Sequence, residues 1–419
     1  MADEERKPVR DAYDAEIVLH PFRGLTKRVF AIVKFSYKIA GKNCELMKAE
    51  PLLNNILDQS LDPRLRPGCD FWLMKRSADF VVRGSAYARE GKPVREMQAA
   101  VQIGSRLKRL AVFGNRRIGW NAAGRPAIAA PEPFEEMPLI YENAYGGIDF
   151  RVPVSDDDPQ YQSAALEVDW PGLYPRNPFG KGYLVDPAPA ENTGMPNLED
   201  PSDLLTADRL IVSDPERWYL QPLPWCFDWV HPFSWPRSFF FAPEYADAWF
   251  PGPEDERMPE VKRGVLAHGY RRHLQARGED EQSLDAFFQE GSYGLVLSGL
   301  KGNEPVMIHG MHPSEPTLAF ELPGATPSIE IDIEGKRTRV LSRLHSIVCH
   351  PAEKRLTMVW AANCDLPRVF MPGIHKHIPI SIFVNGDAPI HYQAPPTVKE
   401  LVATAEANRE KKDVQSGSG

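Results

Sequence analysis

Proline sets the first limit on what this chain can become. Forty prolines and 30 glycines among 419 residues amount to about one residue in six, and proline alone stands near twice its usual share of roughly 5%. A residue without a backbone N–H interrupts helix interiors, so long helices cannot dominate. The expected fold class is mainly β (α+β): antiparallel sheets in a sandwich-like body with long Pro/Trp-rich loops and a few helices. With 42% hydrophobic and 25% charged residues, the composition is that of an ordinary globular protein and excludes wholesale disorder.

Charge narrows the partners. Lys+Arg 49 against Asp+Glu 57 gives a formal net charge of -8, which argues against a dedicated nucleic-acid binder, because counterion release needs a basic face. Residues 1–14 form a charged N-terminal tail and no apolar run reaches the length of about 18 residues that a membrane helix needs. The expectation is a cytoplasmic protein without a secretory signal or membrane insertion. Five widely spaced cysteines, Cys44, Cys69, Cys226, Cys349 and Cys364, contain no C-x-x-C pair, which suits a reducing compartment and suggests neither a disulfide framework nor a zinc ribbon.

Along the chain, residues 15–365 read as one β-rich body in three parts. In 15–125, strand-like runs separated by turn signals at Gly41-Lys42-Asn43, Gly91-Lys92-Pro93 and Gly104-Ser105 predict an antiparallel meander. In VFAIVKFSYKI, Val29, Ala31, Val33, Phe35, Tyr37 and Ile39 share the face expected to be buried, and Arg89-Glu90-Gly91-Lys92 reads as a hairpin loop. The part 126–260 is loop-rich. Its tryptophans, Trp170, Trp218, Trp225, Trp229, Trp235 and Trp249, favour ordered packing over disorder, and Asp156-Asp157-Asp158 reads as a solvated loop tip. The part 261–365 opens on a helical stretch to about Gln289, then returns to strands, with SIEIDIEGKRTRVL as a β-hairpin turning Ile331 and Ile333 inward. A strand region (366–396) and an amphipathic helix with a flexible tail (397–419) follow.

No constellation nominates a catalyst, a metal or a cofactor. His309 and His312, His375 and His377, and His345 and His350 beside Cys349 offer ligand types, but no H-E-x-x-H spacing occurs. Serines beside glycines at Ser85, Ser105 and Ser292 lack the G-x-S-x-G pattern of a nucleophile elbow. Gly180-Lys181-Gly182 lacks both the upstream glycine and the hydroxyl residue of a phosphate-binding loop, and reads as a bent turn. Trp235-Pro236-Arg237 and Phe239-Phe240-Phe241 mix the residue types found at interface hot spots, or they pin loops over a core.

Seven phrases then occur in a fixed order: FAIVKFSY (30–37), LRPGCDFWLMKRSADFVVRGSAYA (65–88), VQIGSRLKRLAVFGNRRIGW (101–120), FEEMPLIYENAYGG (134–147), NPFGKGY (177–183), MPNLEDP (195–201) and LHSIVCHPAEKRLTMVW (344–360). Together they resemble the family known as domain of unknown function 2169, with departures at Cys69, Asn115 and Ala361. The resemblance implies a non-catalytic adaptor or chaperone of bacterial type VI secretion. Its partners would be an effector protein, possibly a toxin carrying a PAAR-type tip, and the VgrG spike onto which the effector is loaded. Residues expected at the partner surface are Tyr145, Gly146, Gly147, Asn177, Pro178, Gly180, Gly182, Pro196, Asn197, Trp235 and Arg237. Glycine and proline in these phrases equally serve turns that the fold itself demands. Two other readings stay open: an enzyme of unrecognised type acting on a protein partner, and a structural component of the secretion baseplate.

Overall fold

The computed structural model describes residues 13–19, 28–53, 68, 70–71, 75, 77–152, 172–174, 177, 179–185, 193–214, 220–229, 291–367, 374–384, 389–391, 399 and 403. The expected helix over 261–289, the Asp156–Asp158 patch and Pro178, Trp170, Trp218, Trp235, Arg237 and Trp249 lie outside these residues. Of the C-terminal helix, Lys399 and Ala403 are described, both helical and exposed.

The described chain is mainly β, with several antiparallel sheets and no long helix. Its first strands are β1 (Tyr13–Leu19), β2 (Arg28–Ala40), β3 (Asn43–Met47), β4 (Ala78–Val82) and β5 (Ser85–Tyr87). After these come β6 (Glu96–Ile103), β7 (Arg106–Phe113), β8 (Ile118–Trp120), β9 (Pro126–Ile128) and β10 (Glu136–Pro138). Beyond β10, the described residues of the proline-dense middle form two-residue strands, β11 (Tyr145–Gly146), β12 (Lys181–Gly182) and β13 (Leu198–Glu199). The C-terminal strands are β14 (Val296–Leu297), β15 (Pro305–His309), β16 (Thr317–Glu321), β17 (Pro327–Ile333), β18 (Lys336–Leu341), β19 (Arg343–His350), β20 (Arg355–Asp365), β21 (Ile380–Val384) and β22 (Ile390–His391).

A seven-stranded sheet has the order β1-β2-β20-β19-β4-β14, with β3 on β2; a five-stranded sheet runs β13-β7-β6-β15-β16; a four-stranded sheet runs β18-β17-β21-β22. The N-terminal strands therefore do not form one meander. β2 and β3 make a hairpin across Gly41-Lys42, and β6 and β7 make another across Gly104-Ser105, but β4 lies parallel to β19, some 265 residues away in sequence. The reason is burial. All five residues of β4 are buried, as both faces of a central strand must be, and such a strand takes its neighbours from wherever the chain supplies apolar partners. The Arg89–Gly91 turn likewise joins strands that do not pair: β5 pairs with β10, and β6 with β7 and β15.

β2 departs from simple alternation. Every residue from Val29 to Tyr37 is buried, including Phe30, Ile32, Lys34 and Ser36 of the face expected to meet solvent, and Lys38 alone of that face is exposed. The β17–β18 hairpin follows its sequence closely. Glu334 and Gly335 hold φ of 54° and 84°, the two-residue turn whose twist matches its strands, and Ile329, Ile331 and Ile333 are buried.

By packing, the chain divides into two units that are discontinuous in sequence. One comprises 1–14, 34–325 and 343–360; the other comprises 15–33, 326–342 and 361–419. In the first, Val81, Val348 and Trp229 form one apolar cluster, and Ile118, Tyr145, Tyr174, Tyr183, Leu184, Met195, Leu205, Leu210 and Val212 another. The second unit carries the four-stranded sheet, whose buried face is lined by isoleucines of β17 and β21.

Candidate functional site

The phrases AYGG, NPFGKG and PNLE converge. β11 and β12 pair in parallel, Tyr145 opposite Lys181 and Gly146 opposite Gly182. The buried Asn177 side chain fastens the pair, its Nδ2 donating to the carbonyls of Tyr141 (2.6 Å) and Tyr145 (3.1 Å), while the backbone carbonyl of Asn177 accepts from the N–H groups of Gly147 and Gly180. The glycines are demanded by contact. A Cβ on Gly146 would lie 2.1 Å from the Asn177 carbonyl oxygen, and one on Gly180 would lie 2.5 Å from Asn177 Nδ2 and 2.7 Å from the Ala144 carbonyl oxygen. Lys181 Nζ then donates to Asn143 Oδ1 (2.7 Å) and Asn197 Oδ1 (2.9 Å), with burial lowering its proton affinity. Asn197 Nδ2 donates to the Phe113 carbonyl, which ties the knot to β7.

Tyr145, Gly146, Gly147, Asn177, Gly182, Pro196 and Asn197 are buried and Gly180 is partly so. The structure thus gathers eight of the eleven expected partner residues into one place, as an internal frame. Below it, Tyr174 packs edge-on to Tyr145 and tilted against Tyr183, ring centroids 5.2 Å apart in both pairs. Burial pushes the Tyr145 and Tyr183 hydroxyls up. Tyr145 donates to Gln221 Oε1 and Tyr174 to the Pro222 carbonyl. Glu199 ends the frame in a buried ion pair with Arg116, whose guanidinium stacks on Phe113, and its other oxygen accepts from Leu205 N–H at 2.7 Å. Burial raises the Glu199 carboxyl and Arg116 opposes that rise.

Four charged letters of the first two phrases are each other's partners. Lys34 of FAIVKFSY reaches Asp70 of CDFWLMK at 2.9 Å, and Lys75 reaches Asp79 at 2.6 Å, all four side chains almost wholly buried. Asp70 also accepts from Leu53 N–H, and Lys75 also donates to Ser346. Lys108 of β7 is a third buried cation. Its Nζ donates to Ser292 Oγ (3.0 Å) and the Tyr293 carbonyl (2.8 Å) and lies 4.2 Å from the Trp225 ring centroid. Burial lowers its pKa to about 7, with Cys226 and Asp200 acting against the shift. Sequence reasoning placed Lys34 on the face expected to meet solvent and did not single out Lys108; in the structure Lys34 shares a buried face with Phe30 and Ile32, and Lys108 with Leu110 and Val112.

The histidines stay apart. His309 Nδ1 meets Thr317 Oγ1, His312 accepts from Ser314 and Glu315 N–H, and His345 is buried in β19. Burial, helped by Arg355, lowers the His350 pKa to about 4. Burial pushes the Cys44 and Cys226 thiols up to about 12. Among the described residues no group of three or more His, Cys, Asp and Glu could hold a metal ion, and no helix is long and apolar enough to cross a membrane. A groove of about 450 Å³ lies beside the 89–91 turn, lined by Val94, Met97, Gln98 and His309 with Arg89 and Glu90. On the five-stranded sheet, Leu107, Gln102, Met307 and Ala319 form a cross-strand row in which Leu107, Met307 and Ala319 are exposed.

No curated protein and no solved structure is detectably similar to the chain. One family model matches, over residues 25–361, a span that holds all seven phrases, both buried Lys–Asp pairs and the asparagine-fastened frame. The chain belongs to the family described as "uncharacterized protein conserved in bacteria (DUF2169)".

Proposed function

We propose that the chain is a non-catalytic, cytoplasmic adaptor that binds a type VI secretion effector, chaperones it and helps load it onto the VgrG/PAAR spike, using a sandwich-like β body as its scaffold. The observation that supports this reading is the use to which the family phrases are put. Their polar residues are spent on buried ion pairs and on fastening glycine-rich strands. Such internal bracing suits a binding scaffold, since loops fixed before association lose less conformational entropy on it. A specific partner would cover on the order of 1,600 Å² in total.

The test is co-expression of the tagged chain with the spike protein and toxin encoded beside it, followed by affinity capture and size-exclusion chromatography with mass determination. The reading expects a complex of defined stoichiometry and an effector that is insoluble or unstable without the chain. A lone chain, with an effector equally soluble in its absence, overturns it.

A further inference from the structure

The second unit ends its sheet on an unusual edge. β18 pairs with β17 on one side, and no described strand pairs with its other side. Three of its six residues are cationic, Lys336, Arg337 and Arg339, in a chain whose net charge is -8. The two-residue turn at Glu334-Gly335 fixes the phase of the hairpin: Ile333 with Lys336, Ile331 with Thr338 and Ile329 with Val340 exchange the ladder bonds. The Ser342 N–H to Pro327 carbonyl bond continues that phase. The N–H and C=O groups of Arg337, Arg339 and Leu341 therefore point outward along the free edge, and their side chains share the face opposite the buried isoleucines.

That face is prepared for an anion beside an apolar group. The Arg339 guanidinium stacks 3.9 Å from the Phe383 ring centroid and donates through Nε to Ser328 Oγ at 2.9 Å. Its orientation is thus set while both terminal nitrogens keep their donors. Arg337 meets Asp332 at 3.4 Å and Glu330 at 4.0 Å, so Glu330, although opposite Arg339 in register, leans away from it, and no described carboxylate lies within ion-pair distance of Arg339. Leu341, next along the same face, is 76% exposed. A planar fork held on an aromatic ring accepts a carboxylate in two parallel bonds.

We propose that the outer edge of β18 is a docking site for an extended acidic segment of a partner protein. The segment adds as an antiparallel strand, with carboxylates opposite Arg337 and Arg339 and an apolar side chain opposite Leu341. Read from its own N-terminus, it carries the pattern apolar-x-acid-x-acid. Strand addition supplies main-chain bonds and the alternate side chains supply choice. Charge decides against a second copy of this chain, because two β18 edges paired about a two-fold axis at Arg339 set like charges opposite one another.

The test uses the full chain and a fluorescein-labelled peptide containing Val-Thr-Glu-Thr-Glu, followed by fluorescence anisotropy. The expected result is saturable binding that weakens at least about tenfold when both glutamates become glutamine, when the valine and glutamate amides are N-methylated, or in Arg339→Gln. Far-UV circular dichroism checks that the variant is folded; Leu341→Asp, altering an exposed side chain, is the second variant and is expected to weaken binding as well. Equal binding of the glutamine or N-methylated peptide, absence of binding at millimolar peptide, or a concentration-dependent dimer that Arg339→Gln abolishes overturns the proposal. Neither effector nor spike enters the assay, so its failure and that of the adaptor reading are separate results.

Discussion

A lysine ammonium needs water or a carboxylate, and at position 108 the fold supplies an aromatic wall and two neutral acceptors. A neutral amine has two N–H donors, which match Ser292 Oγ and the Tyr293 carbonyl one for one. With the pKa at about 7 in the folded protein and near 10.4 when unfolded, the unfolded chain binds the extra proton between those values. The linkage sign is then positive: stability rises with pH from about 7 toward 10, by roughly 1.4 kcal/mol per unit at most. Urea unfolding at pH 7 and pH 9 is expected to show this gain in the wild type and to lose it in Lys108→Met, which cannot titrate. At this scale the sequence was legible only in part. Alternation put Lys34 on the face expected to meet solvent and left Lys108 unremarked, because what buries each is an acid or carbonyl 36 and 184 residues away, and no local rule supplies those.

Two glycines in short turns separate two reasons why glycine is required. Gly335 has φ of 84° and nothing within 4 Å of a Cβ built on it, whereas Gly180 has an ordinary φ and a Cβ there collides with Asn177 and Ala144. Gly335→Ala is expected to destabilise by about 1 kcal/mol through backbone strain alone. Gly180→Ala forces backbone shifts in a packed frame and is expected to cost about 3 kcal/mol. Thermal unfolding of the two variants checks the order. Hairpins of this kind are readable from alternation and turn chemistry alone: the 334–335 turn, with Ile331 and Ile333 inward, stands as the alternation predicted. The meander was not, because turn signals between strands say where the chain bends and not which strand it bends toward. β5, which leads into the Arg89–Gly91 turn, pairs with β10, where the fully buried Ala86 stands opposite Met137.

Over the whole molecule, protection should follow sheet position. β19 lies between β20 and β4, and β20 between β2 and β19, while β18 has one neighbour among the described strands. Hydrogen exchange is expected to be slowest in β19 and β20, and in β18 to alternate, with Arg337, Arg339 and Leu341 fast and Thr338 and Val340 slow. That the described residues are mainly β, with no long helix among them, was legible from proline density, whereas the assembly of the sheets from separated segments was not, since each pairing closes a loop whose length leaves no mark on local sequence. The Lys34–Asp70 pair carries a consequence for descent. Removing one member of a buried pair costs about 3–5 kcal/mol, a large part of the roughly 5–15 kcal/mol that holds a typical protein folded. The two positions are therefore epistatic: a lineage that loses Lys34 first must cross a fitness valley before Asp70 can follow, so the two letters are inherited as one.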